Sequence, residues 1–119
     1  MPTDTIDQPD VRRALARVYA HLRANQLLNW EVASSQEVAV ADASATKVFA
    51  AAAAQWAGRS LGDVVARHGD PADDATAQLS RWIDVQVKRN TVLTFGGGVD
   101  EIQRELIVTA GLGLPRVPR

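Results

Sequence analysis

The chain has 119 residues, a formal net charge of −1 and a pI near 6.1, one domain's worth of sequence with a modest core and no basic face for nucleic acid. No apolar run approaches the ~20 residues of a membrane span, and the polar, acidic segment after Met1 is not a signal peptide. Cysteine is absent, which excludes disulfides and thiol chemistry and fits a reducing cytoplasm. Aromatic residues make up 5% of the chain and alanine is abundant, so helix formers outweigh strand formers.

Residues 1–8 read as a mobile lead-in, with Asp7 placed to cap a helix and Pro9 tolerated in its first turn. Val11, Leu15, Val18 and Leu22 then fall at helical spacing. The pattern runs on through Leu27, Leu28 and Val32 to Ser34 or Ser35, a helix of about 25 residues and about 40 Å. Residues 36–41 form the connection, and Asp42 is a plausible cap for a second helix. On it Phe49, Ala52, Ala53, Trp56 and Leu61 line one side, and alanines at 50–54 favour helix and permit close approach. Gly58 and Gly62 either weaken this helix or mark tight packing.

His68-Gly69-Asp70-Pro71 ends the second helix, with Gly69 suited to a left-handed cap. Asp70, Asp73 and Asp74 read as a loop and an acidic helix start; their spacing matches no EF-hand loop, so no metal site is assigned. A third helix covers 75–92, with Leu79, Trp82, Ile83, Val87 and Val92 as its apolar stripe. A fourth covers 99–110 and is capped by Gly111, and residues 116–119 are expected to be mobile. Four helices with short connections and no internal repeat give an all-α, antiparallel up-down four-helix bundle occupying residues 1–119 as one domain.

Few residues stand out for chemistry. His21 precedes the core position Leu22 and is expected to be partly exposed; His68 gains from the dipole at a helix end. Ser34 and Ser35 lack nucleophile-elbow glycines. Lys47 reads as a solvated helix residue or a phosphate ligand. Trp30, Trp56 and Trp82 fall one per long helix and suit a core or a subunit contact. The most distinctive stretch is Gly96-Gly97-Gly98-Val99-Asp100-Glu101-Ile102-Gln103-Arg104. It is a glycine turn feeding an acidic helix start, and physical chemistry alone leaves it as a plain helix beginning or a phosphate cradle.

Together with Leu112-Gly113-Leu114-Pro115-Arg116, that stretch resembles the C-terminal signature of acyl-CoA dehydrogenases, which reads Gly-Gly-Thr-(Ser/Asn)-Glu-Ile-Gln-Arg and then Leu-Gly-Leu-Pro-Arg. Ala43-Ser44-Ala45-Thr46-Lys47-Val48-Phe49 is similar to the family's Ala-Ser-x-x-Lys-x-Phe, and Arg89-Asn90-Thr91-Val92 to its Arg-Ala-Asn-Thr-Ile. The helix from Leu22 to Glu31 resembles the Leu-Leu-Asn-containing helix of many members. The resemblance implies the C-terminal helical bundle of an FAD-dependent enzyme that oxidises acyl-CoA to the enoyl thioester, without the family's other two domains.

Carried over residue by residue, Gly98, Val99, Asp100 and Glu101 match positions that approach the flavin diphosphate. Gly97 stands where many members carry the catalytic glutamate, so the resemblance assigns no catalytic residue here. Val99 replaces the usual threonine and removes a hydroxyl donor, and Asp100 adds negative charge beside the expected diphosphate. The glycine-rich turn that members carry after the second helix is poorly kept at 63–69. The resemblance thus implies a partial subunit, inactive alone, that self-associates or pairs with a larger dehydrogenase-like subunit, acyl-CoA entering only in the complete complex. The alternative is a non-enzymatic helical module that keeps the bundle for oligomerisation.

Overall fold

The computed structural model describes residues 4–116, and among them every regular element is helical. Four helices appear: α1 (Pro9–Ser34), α2 (Val40–His68), α3 (Asp74–Thr91) and α4 (Asp100–Leu106). Short 3-10 turns at Thr5–Asp7 and Val92–Thr94 precede α1 and extend α3, and a π-helical turn, Ile107–Gly111, continues α4. The all-α four-helix architecture is the one expected.

α2 is the spine. α1, α3 and α4 all pack against it, and its residues are shielded along most of its length. The pairings are antiparallel. Asp10 of α1 meets His68 of α2. Val87 and Ile83 of α3 lie over Gly58 and Gly62. Asp100 and Gly111, at the two ends of α4 and its π-helical turn, lie against Lys47 and Ala41. Hence α3 and α4 run end to end along α2, one over its C-terminal half and the other over its N-terminal half. The alanines of α2 let this happen, since small side chains allow close helix approach.

The two glycines of α2 differ in cause. A Cβ at Gly58 would lie 2.7 Å from Val87 Cγ2, whereas one at Gly62 would meet Ile83 Cγ2 at an ordinary 3.7 Å. Gly58 therefore marks close packing, and Gly62 only weakens the helix. Gly62→Ala is expected to stabilise by about 0.5–1 kcal/mol through helix propensity. Gly58→Ala should lose about 1–2 kcal/mol, because the stiff β-branched Val87 must give way. Thermal melting of the two variants should move in opposite directions.

Several local expectations are corrected. Asp7 does not cap α1; it lies in the preceding 3-10 turn and Gln8 takes the cap position. Asp42 does not cap α2, which begins at Val40 behind Ala39 and holds Asp42 in its first turn. Gly69 is not left-handed: φ is −82° and ψ is 150°. The third helix keeps a true cap, Asp73, whose side chain accepts from the Thr76 N–H at 3.0 Å and from the Thr76 hydroxyl at 2.7 Å. Those bonds hold the Asp73 carboxyl well below the usual range. Asp70 accepts from the Ala72 N–H. At the chain's ends, residues 1–3 and 117–119 of the segments expected to be mobile lie outside the described residues, while Arg116 pairs with Glu105.

The stripe on α1 is only partly inward. Val11 and Val18 are shielded and Leu15 lines the hollow between α1, α2 and α3, but Leu22 faces outward at 55% exposure. His21 takes an inward place, stacked against Trp56 with ring centroids 4.6 Å apart, and Phe49 lies farther off at 6.1 Å. An imidazole lies flat on aromatic rings, so it fills a seam between two closely spaced helices that a branched leucine does not need to fill.

The result is a thin slab, 54 × 30 × 20 Å, with a radius of gyration of 18.0 Å. A compact domain of this length has a radius near ~13.5 Å. Its accessible surface is 8412 Å², against about 6,300 Å² for a compact monomer of this mass. Among the described residues no large side chain is fully withdrawn from solvent.

Candidate functional site

The glycine stretch lies beside the middle of α2, where α3 stops and α4 starts. The Gly96 N–H and the Phe95 N–H both donate to the Val92 carbonyl, at 2.7 and 3.2 Å, which closes off the end of α3. Gly97 and Gly98 then take φ of 72° and 106°. The first value is left-handed and the second lies outside what side chains readily adopt, so two glycines are needed for the chain to leave α3 and restart as α4. Val99 is the cap residue of α4 without a side-chain bond, and the Gln103 N–H donates to its carbonyl at 3.1 Å.

One contact from across the chain fixes this turn. The Lys47 ammonium on α2 donates to the Gly98 carbonyl at 2.6 Å and to Asp100 Oδ1 at 2.9 Å. Lys47 and Asp100 side chains are 24% and 13% exposed, so the pair is largely shielded. Among the sequence-predicted site residues, Gly98 and Asp100 are thus gathered onto Lys47. Val99 and Glu101 are exposed. Gly97 is the apex of the turn, and nothing lies within 4 Å of where its Cβ would be. Lys47 is not a free helix residue: its ammonium is held by the Gly98 carbonyl and the Asp100 carboxylate. Its partners lie 51 and 53 residues away in sequence, a separation that no local spacing rule reports.

Two other features frame the site. Near the opposite end of α2, His68 Nε2 lies 2.9 Å from Asp10 Oδ2, and Arg67 Nη1 lies 3.3 Å from the same oxygen. The His68 hydrogen bond lowers the Asp10 carboxyl below its ordinary value. The cluster joins an acidic helix start to a basic helix end, which suits both dipoles. Between α1, α2 and α3 a cavity of about 360 Å³ is lined by Leu15, Leu61, Val64, Leu79, Trp82 and Ile83, among others. Trp82 is 59% exposed at this cavity, and Trp30 on α1 is 72% exposed. Trp56, by contrast, is enclosed beside His21. Among the described residues no group of acids and histidines has the makings of a metal site, and no helix is long and apolar enough to cross a membrane.

Comparison with known proteins agrees with this architecture. The family model for the acyl-CoA dehydrogenase C-terminal domain matches residues 3–112. The chain is 53% identical over 115 residues to acyl-CoA dehydrogenase FadE29 of Mycobacterium tuberculosis, covering 96% of this chain and 30% of that protein. Among solved structures it is similar to the ChsE4-ChsE5 complex from Mycobacterium tuberculosis, with TM-score 0.83, 41% identity and coverage of 96% of this chain and 30% of that one. It is also similar to the Tcur3481-Tcur3483 steroid ACAD, with TM-score 0.81, 38% identity and coverage of 97% and 31%. The chain thus spans about 30% of the length of the relatives it matches. With the glycine turn, the helix order and the family match in agreement, the chain belongs to the acyl-CoA dehydrogenase family and corresponds to its C-terminal domain.

Proposed function

We propose that this chain serves an FAD-dependent acyl-CoA dehydrogenase as its C-terminal helical domain, held against a second dehydrogenase-like subunit in the cytoplasm and inactive alone. The observation that carries the reading is the glycine turn. It has the family's position and most of its sequence, yet the residue at the common base position, Gly97, has no side chain. Asp100 is engaged by Lys47, and Glu101 is exposed on the first turn of α4. None of the three is placed as a base, so the α-proton of an acyl thioester must be removed by a residue from elsewhere.

The turn fits the diphosphate end of a flavin. The space where a Gly97 Cβ would lie is open, so a ligand can approach the backbone closely. The charge of Asp100 is compensated by Lys47 at 2.9 Å, which removes the repulsion that the sequence alone suggested. Gly97, Gly98 and Val99 would hold the diphosphate through backbone, with Glu101 at the edge. Bound flavin would supply the hydride acceptor.

The partner is argued from surface. The slab exposes roughly 2,100 Å² more than a compact monomer of its mass, on the scale of a substantial subunit interface. Solved relatives include the ChsE4-ChsE5 complex and a protein described as the Tcur3481-Tcur3483 steroid ACAD, which favours a steroid-bearing acyl-CoA as substrate class and a heteromer as the working form.

Two measurements test this. The purified chain with steroid-bearing acyl-CoA and an electron acceptor should show no turnover. Co-purification with a longer dehydrogenase-like chain should give a yellow complex whose flavin bleaches anaerobically on adding that thioester. Turnover by the lone chain would sink the reading. A colourless homo-oligomer with no dehydrogenase partner would favour the non-enzymatic oligomerisation module instead.

A further inference from the structure

We propose that Lys47 is a positioning residue for the glycine turn. Its ammonium fixes the Gly98 carbonyl and neutralises Asp100, so that the Gly97–Val99 backbone rather than a carboxylate faces the flavin diphosphate. The diphosphate part rests on the reading above; the positioning part does not.

The geometry separates this role from two simpler ones. A solvated lysine would carry its ammonium in water, but here two of its three donors are spent on Gly98 and Asp100 at 2.6 and 2.9 Å. A phosphate lysine would aim its ammonium at open space, yet Lys47 is tied to the flank of the turn, and the open side is at Gly97. Neighbouring Ser44 and Thr46 are buried, so this part of α2 is packed and the lysine stem leaves a fixed base. The target is equally constrained. Gly98 at φ 106° has the Gln103 side chain against its other face, 2.5 Å from where a Cβ would stand. Its carbonyl direction is therefore set by the turn, and the ammonium clamps it.

The same contact resolves a conflict in the sequence. An acid in the first turn stabilises α4 through its dipole, but an acid beside a diphosphate repels it. Pairing Asp100 with a shielded cation weakens both effects, and the two Lys47 hydrogen bonds hold the start of α4 in place of the dipole interaction. Arg104, in the last turn of α4, does not do this, since the hydrogen bonds of Asp100 run to Lys47.

The test uses the chain as purified and, in parallel, its complex with the dehydrogenase-like partner. Native-state hydrogen exchange is read at the Gln103 amide, whose bond to the Val99 carbonyl is the first of α4. Lys47→Met is expected to speed exchange there about tenfold, while amides of α3 around Ile83 keep their protection. Lys47→Arg should restore most of it. Unchanged exchange at Gln103 in Lys47→Met overturns the positioning role.

In the complex, Lys47→Met should weaken flavin retention about tenfold or more, and Lys47→Met with Asp100→Asn should recover about half of that loss on a logarithmic scale, because the unmasked charge is gone while the Gly98 clamp is still missing. A double variant as weak as Lys47→Met would mean that the charge of Asp100 is not what the ammonium offsets, and the neutralising role would fall. A wild-type complex that never holds flavin would sink the cofactor reading, and the exchange result would still decide what Lys47 does.

Discussion

Replacing Trp82 with aspartate is expected to abolish stable association with the proposed dehydrogenase-like partner while leaving the chain's own helices intact. Trp82 stands 59% exposed at the rim of the apolar cavity between α1, α2 and α3. Leu79 and Leu15 beside it are also exposed, at 40% and 39%. A tryptophan at the edge of an apolar hollow is the usual form of an interface anchor, with truncation costing about 2–4 kcal/mol. That corresponds to roughly 30- to 1,000-fold in Kd, and a carboxylate buried there adds a desolvation penalty. The side chain makes little of the internal core, so the stability of the lone chain should change by about 1 kcal/mol or less. Titration of the labelled partner with wild-type and variant chain measures the first quantity, and denaturant unfolding the second. Unchanged affinity would remove this face from the interface.

The second large effect is on folding. Gly69→Ala should destabilise the chain by about 3 kcal/mol, although it adds only one methyl group. Nothing in the backbone calls for glycine, since φ −82° with ψ 150° is open to any residue. The neighbours call for it. A Cβ would stand 2.5 Å from the Val65 carbonyl oxygen and 2.5 Å from Thr76 Cγ2. The first accepts the Gly69 N–H at 2.8 Å and closes α2. The second belongs to the residue that holds the Asp73 cap of α3. Neither can retreat without opening a helix end. A fall in Tm of about 10 °C or more is expected, and a Tm within about 2 °C of wild type would show that the corner relaxes freely. Gly97→Ala is the informative comparison. It meets no neighbour within 4 Å, so it should cost only the left-handed penalty of about 1–2 kcal/mol.

These two sites show where sequence reading stops. Gly69 was legible as a helix end, because Pro71 follows it, but the reason for glycine was a clash with residues on two other turns. Trp82 was legible as a core or contact residue, and only its exposure on a thin slab separates the two. The inward face of α1 misled for a related reason: a count through Val11, Leu15, Val18 and Leu22 keeps helical spacing, yet the shielded positions are Val11, Ala14, Val18 and His21, and Leu22 is left outside.

The sequence by itself determined the helical class, the approximate span of α1, α2 and α3, the existence of a glycine turn before a short acidic helix, and the family. Those follow from local propensity, from period and from an ordered pair of motifs, all of which are written along the chain. Tertiary structure alone decided that α2 is the spine and that α3 and α4 share its flank. It also decided that Gly58 is packed while Gly62 is not, and that Lys47 closes on Gly98 and Asp100 from 51 and 53 residues away. Each depends on which faces meet after the chain has turned back on itself, and contact between faces is a property of three dimensions that a one-dimensional spacing does not encode.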